Sequence, residues 1–222
     1  MRTILVIILI CCFTGCDFRS SESYHKEAQQ LETQKKYKEA IPLLDIAIKK
    51  DRKNINALLD RAVDKSMLHD NMGAIADYSK VIELDSTNGL AFLNRGKNKC
   101  RIEDYKGAIA DFNKAIATKG GELVYLNKVE NSFVETGWQY HVDMEEIRYE
   151  RGVALYDIDD LKGAYNDFSF CLDKGYNKPG SYYYRGAIYL SYKMKTEGCA
   201  DLMKAKELGD SDAPELLDNY CK

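Results

Sequence analysis

Apolar residues along this chain recur mostly at helical intervals, broken by short polar stretches. In MGAIADYSKVIEL, residues 72–84, Ala74, Tyr78, Val81 and Ile82 stand at i, i+4, i+7 and i+8, one face of an α-helix. LLDRAVDKSML before it has the same periodicity, and HDN between them reads as a turn, so the pattern predicts two helices in a hairpin. Ala108, Phe112, Ala115 and Ile116 repeat the offsets in the next hairpin. The pattern changes only in residues 119–143, where ELVYL and SFVETGWQYHV alternate with period two and hint at extended chain.

The octets GAIADYSK at 73–80 and GAIADFNK at 107–114 lie 34 positions apart. Their aspartates, Asp77 and Asp111, have equivalents in Asp167 and Asp201, at intervals of 34, 56 and 34. A second marker, Arg61-Ala62, Arg95-Gly96, Arg151-Gly152 and Arg185-Gly186, has the same three intervals. Because 56 is 34 plus 22, both markers place one insertion of 22 residues between the third and fourth units. Ala28, Tyr37, Ala40, Leu44, Ala47 and Ile48 hold the register in a first unit, which has Glu27 and Leu43 in place of the markers. Arginine and aspartate are present together or absent together, which predicts an ion pair across each helical hairpin.

Ala74-x3-Tyr78, Ala108-x3-Phe112 and Ala164-x3-Phe168, with a small residue in each first helix, resemble the tetratricopeptide repeat. The match Gly198-x3-Leu202 is weaker, and the family's tryptophan and closing proline are absent. The resemblance covers residues 21–212. It implies an all-α fold: a right-handed solenoid of about five helical hairpins plus a C-terminal capping helix, with one insertion between units three and four. Units one to three then occupy 23–118, the insertion 119–143, units four and five 144–209, and the capping helix 210–222. The family's members mediate protein–protein contacts, so a protein or peptide partner is implied.

The N-terminus, MRTILVIILICCFTGC, has a basic start at Arg2 and an apolar run of ten residues, Ile4 to Phe13. That run is shorter than the ~20 residues a membrane-spanning helix needs. Gly15-Cys16 resembles the lipobox of bacterial lipoproteins, although Phe13 departs from the usual leucine. The resemblance implies a signal peptide over 1–15, lipidation of Cys16, a tether over 16–22, and a place in the cell envelope, lipid-anchored on the exported side of a bacterial membrane.

The formal charge of −3 becomes −4 once residues 1–15 are removed, since they hold one basic residue and no acid. There is no basic field to neutralise phosphates, which excludes nucleic acid as a partner. Export makes disulfides permissible. Cys199 and Cys221 are equidistant from Asp210, in a turn between two helical stretches, so an antiparallel hairpin pairs them as a disulfide. Two thiols without a nearby histidine make a poor zinc site. Cys100 and Cys171 fall within helices and read as small buried hydrophobes.

His25, His69 and His141 lie in different units with no shared spacing. No nucleophile elbow, phosphate loop, zinc-protease motif or calcium-loop acid series occurs. The expectation is a non-enzyme without cofactor or metal. Binding candidates are Tyr149, Tyr156 and Tyr183 on the concave side, with Trp138 and Tyr140 of the insertion. The alternative is a glycan- or ligand-binding surface that stacks its ligand on Tyr182, Tyr183, Tyr184 and Tyr189.

Overall fold

The computed structural model of the protein describes residues 18–118 and 142–222. Among them are eleven α-helices and no strand. They form five hairpins: α1 (Ser21–Thr33) with α2 (Tyr37–Lys50), α3 (Ile55–Met67) with α4 (Asn71–Leu84), α5 (Gly89–Arg101) with α6 (Tyr105–Ala117), α7 (Met144–Asp157) with α8 (Leu161–Lys174), and α9 (Lys178–Ser191) with α10 (Lys195–Glu207). A short last helix, α11 (Ala213–Tyr220), follows. The first helix starts at Ser21, inside the stretch read as a tether, because the Ser20 side chain accepts the backbone N–H of Ser23 and caps it. Trp138, Tyr140, His141, Cys16 and the alternating segments lie outside the described residues. No helix among the described residues is long and apolar enough to cross a membrane.

Local chemistry sets the helix ends. Asp70, Asp104 and Asp160 each accept the N–H of the glycine three residues on, at 2.9–3.0 Å. Asn54 and Asn88 cap α3 and α5 in the same way. Each such cap contributes ~1 kcal/mol. At the end of every first helix the chain reverses through one residue in the left-handed region: Lys35, His69, Glu103, Asp159 and Lys193, with φ between 60° and 63°. The next residue's N–H then bonds back to a carbonyl five residues earlier, as Asp104 does to Lys99 at 2.9 Å. None of the five is glycine, so every hairpin carries backbone strain.

The apolar stripes meet as the periodicity predicts. Tyr78, Phe112 and Phe168 are fully buried between their paired helices. A Cβ on Gly96 would approach the Phe112 ring to 2.6 Å, which is why the first helix needs a small residue there. One continuous core joins units two, three and four, with Val142, Ile147 and Ala154 packed among residues of α3 to α6. The stack therefore continues across the insertion.

Each predicted Arg–Asp pair forms, with two parallel bonds from the guanidinium fork. The distances are 2.9 and 2.6 Å for Arg95–Asp111, 2.7 and 2.7 Å for Arg151–Asp167, and 2.6 and 3.1 Å for Arg185–Asp201. Arg61 and Asp77 make the same fork. The arginines also tie units together: Arg61 bonds Asp45, Arg95 bonds Ser79 and Arg151 bonds Asn113, each on the second helix of the preceding unit. The fourth arginine finds no such bond; Ser169, at the equivalent position, has a buried hydroxyl without a partner. These arginines hold the array together and are not free to bind a ligand.

A disulfide joins Cys199 on α10 to Cys221 at the end of α11. It closes α11 over Leu202 and Ala205, where Ala213, Leu216 and Leu217 complete the last core cluster. Cys171 is buried, its thiol donating to the Glu145 carbonyl at 3.4 Å, and Cys100 is half-buried. Burial pushes both thiols up to about 12, so neither is a thiolate at neutral pH.

Candidate interaction face

Within the stack each helix packs against its neighbours in sequence. In addition α1 touches α3, α5 touches α7, and α7 touches α9. Successive first helices thus approach each other more closely than successive second helices, which curves the stack and sets the first helices on its inner side. The inner face is a row of seams between first helices, and its chemistry changes from seam to seam.

The seam between α7 and α9 is aromatic. Tyr184 stacks on Phe168 with ring centroids 4.8 Å apart and planes 4° apart. Tyr149, Tyr156 and Tyr183 surround Tyr184 edge-on at 6.4, 5.3 and 5.2 Å. Such pairs add ~0.5–1.5 kcal/mol beyond area burial. Burial pushes the Tyr149 hydroxyl up to about 12 and raises those of Tyr156 and Tyr183. All three remain half-buried, with part of each ring at the surface. The structure therefore brings three of the five predicted binding residues into one cluster. Of the rings proposed for glycan stacking, Tyr184 lies against Phe168, and Tyr189 meets Tyr165 edge-on with hydroxyls 3.1 Å apart. Tyr182 packs on the cluster beneath α11. Tyr182, Tyr184 and Tyr189 are each half-buried, as Tyr149, Tyr156 and Tyr183 are.

Between α5 and α7 the seam is ionic: the Lys97 ammonium lies 2.9 Å from Glu146 and 3.4 Å from Glu150. Desolvation works to lower the Lys97 pKa, yet the two carboxylates leave it raised. Between α3 and α5, the Arg101 guanidinium bonds Ser66, and the Asn98 amide donates to the Asn94 carbonyl at 2.8 Å.

Between α1 and α3 the seam is acidic. His25 Nε2 lies 2.6 Å from Asp60 Oδ2, and both residues are buried. Gln29 donates to the same oxygen at 3.2 Å. Glu32 and Asp64 sit beside them, and each has a buried carboxylate oxygen without a hydrogen-bond partner. Burial, reinforced by Asp60, pushes Asp64 up to about 7; burial, with Asp60 and Asp64, pushes Glu32 up to about 8. The histidines' lack of shared spacing concealed this group. The available signal was the register: His25, Gln29 and Glu32 form a polar stripe where unit two has Leu59, Val63 and Ser66 and unit four has Tyr149, Val153 and Tyr156.

On the outer side, a cleft of ≈ 450 Å³ opens between α6, α7 and α8, lined by Arg148, Arg151, Asp160 and Asp167 among others. Arg148 and Arg151 both face Asp167, Arg151 more closely, and Asp160 caps α8. Among the described residues, no group of three His, Cys, Asp or Glu is placed to hold a metal ion.

No protein-family model matches the chain, and no curated protein matches it in sequence. Similarity appears in the fold. MamA (residues 41 to end) from Desulfovibrio magneticus RS-1 superposes with a TM-score of 0.71 at 15% identity, over 86% of this chain and 96% of that one. YrrB, described as a TPR protein with an unusual peptide-binding site, gives 0.68 at 16%, over 86% and 88%. PilW, a widely conserved type IV pilus biogenesis factor, gives 0.61 at 17%, over 90% and 93%. The described residues are all-helical outside turns and fold as a tetratricopeptide-type array with a terminal helix.

Proposed function

We propose that this protein is a scaffold for protein–protein interaction, held to a bacterial envelope membrane by a lipid on Cys16, which takes a partner's peptide or helix on its inner face. The observation that carries the reading is the half-buried cluster of Tyr149, Tyr156 and Tyr183 on successive first helices. Amphipathic rings held rigidly by neighbours are the side chains most enriched at binding hot spots. YrrB, of the same fold, is described as having a peptide-binding site. The anchor rests on the lipobox-like FTGC and the apolar run before it. Trp138 and Tyr140 lie in the segment just ahead of α7, and we propose them as a second contact for the partner. A non-enzymatic role fits the absence of any catalytic motif in the sequence.

The test is site-specific photo-crosslinking in native cells. A photoreactive residue at Tyr183 should capture a partner, while the same residue at Met203, exposed on the second helix α10, should not. Capture from Met203 alone would sink the inner-face reading. Metabolic labelling with an alkyne fatty acid tests the anchor: Cys16→Ala should lose the label and leave the membrane fraction.

A further inference from the structure

We propose that the corner of unit one beside the anchor is a docking surface for anionic phospholipid headgroups, formed by Phe18 and Arg19 together with Lys49, Lys50, Arg52 and Lys53 of the α2–α3 turn. The inference rests on the lipid anchor at Cys16 and adds how the anchored array sits, held against the bilayer by this corner.

Residues 49–53 read KKDRK, four cations and one acid in a chain whose charge is −4 once residues 1–15 are removed. All five are exposed. The fold presses this turn against the start of α1. The Ser21 hydroxyl donates to the Ala47 carbonyl at 2.8 Å, and the Asn54 amide donates to the Ser21 hydroxyl at 2.9 Å. The Arg19 guanidinium stacks 3.8 Å over the Tyr24 ring, and the Lys50 ammonium lies 5.7 Å from the same ring. Cations from two separate segments therefore share one corner. Phe18, 93% exposed, precedes them. An exposed ring beside basic residues is the composition of segments that lie in a membrane interface.

The repeat does not require this charge, because the α4–α5 turn has the same shape without it. The C-cap residues Asp51 and Asp85 have φ, ψ of −137°, 100° and −139°, 93°. Each carboxylate accepts the N–H two residues on, at 2.9 and 3.0 Å, and Asn54 or Asn88 caps the next helix. Yet residues 83–87 read ELDST, with no cation. Lys49 and Lys50 favour the negative end of the α2 dipole, but Arg52 and Lys53 lie past that helix. The acids nearby are engaged: Asp51 in the turn, Glu27 with Arg19 at 2.6 Å, and Glu22 with Lys26 at 3.7 Å.

Reach decides the occupant. Cys16 stands two residues before Phe18 and five before Ser21, so the chain can separate them by at most ~7 and ~18 Å. Attraction between exposed charges persists over a Debye length of ~8 Å at physiological salt, and basic residues beside an anchor bind anionic lipid surfaces. The anchor keeps headgroups at this corner at an effective concentration that a soluble polyanion does not match. Lys35 and Lys38 of the same unit lie at the other end of α1, ~20 Å away, beyond that range.

The test places the lipidated protein in vesicles of phosphatidylcholine, alone or with equimolar phosphatidylglycerol, and measures lysine acylation by an uncharged reagent with mass spectrometry. With phosphatidylglycerol, Lys49, Lys50 and Lys53 should react at least fivefold more slowly, while Lys35 and Lys38 change less than twofold. The protection should vanish at ~1 M salt, where the Debye length is ~3 Å. Arg52→Gln with Lys53→Gln should return Lys49 and Lys50 to their rates in phosphatidylcholine, whereas Lys35→Gln with Lys38→Gln should leave them protected. Equal rates in the two vesicles, or equal protection of Lys35 and Lys38, would overturn the docking. So would protection that survives Arg52→Gln with Lys53→Gln, since proximity through the anchor alone would then account for it. Fatty-acid labelling of Cys16 separates the failures: labelled protein without lysine protection removes the docking and leaves the anchor, and unlabelled protein removes both.

Discussion

The α1–α3 and α7–α9 seams occupy the same address in the repeat and are built on opposite principles. At one end, rings fill the seam and every large side chain has a packed neighbour. At the other, carboxyls are crowded together and two acceptors lack donors. The array needs a small residue and an apolar stripe on the hairpin side of each first helix; the inner seams are under looser control. That freedom lets one stack be aromatic in its α7–α9 seam and acidic in its α1–α3 seam.

The largest expected effect lies on the aromatic side. Phe168→Ala removes the ring beneath Tyr184 and should cost ~3–5 kcal/mol, read by chemical denaturation. If the loss is under about 1 kcal/mol, the rings do not stabilise that seam. Next is the disulfide that closes α11 over the same half. Reducing it, or replacing both cysteines by serine, should cost ~3 kcal/mol for a loop of this size. Hydrogen exchange should localise the loss to α9–α11; a uniform loss along the stack would break the proposed division.

The acidic seam predicts a shift of opposite sign. For Glu32 and Asp64 the folded state holds protons more tightly than the unfolded chain does. Their full stability is therefore present below the ordinary carboxylate range, near pH 4, and is lost progressively as pH rises to about 7 for Asp64 and about 8 for Glu32. The melting temperature should fall from pH 5 to 8.5, with protection in α1 lost first. Glu32→Gln with Asp64→Asn should flatten that slope and raise stability at pH 8. A slope unchanged in the double variant would place its origin elsewhere.

The smallest effect provides a control, because both halves share the same strained turn. Glu103→Gly and Lys193→Gly each replace a side chain held at φ near 62°, which costs ~1 kcal/mol for a residue other than glycine. Both should gain stability by similar amounts in thermal melts. A gain in only one half would mean that the turns, as well as the seams, distinguish the two ends.

Much of the fold was legible before any coordinates. The 34-residue interval, the A-x3-F/Y pairs and the linked Arg and Asp markers place ten helices in five hairpins with the insertion where it occurs. These features are local or strictly periodic, and periodicity survives reading in one dimension. The three inner-face tyrosines were also legible, because the register assigns them to first helices. The companion contacts were not. Arg61 reaching Asp45, and His25 reaching Asp60, join residues of different units, and neither pair repeats along the chain.

What the sequence by itself determined is the hairpin: its helix faces, its Asp caps, its small-residue contacts and its internal ion pair, all set by residues within one period. What only the tertiary structure decided is how neighbouring first helices face one another. A polar stripe on α1 is neutral in isolation, solvated like any helix surface. It becomes part of a buried seam that favours protonated carboxyls only when α3 packs Asp60 and Asp64 beside it. Desolvation depends on which surfaces are pressed together, and that is a property of the stack, not of the repeat.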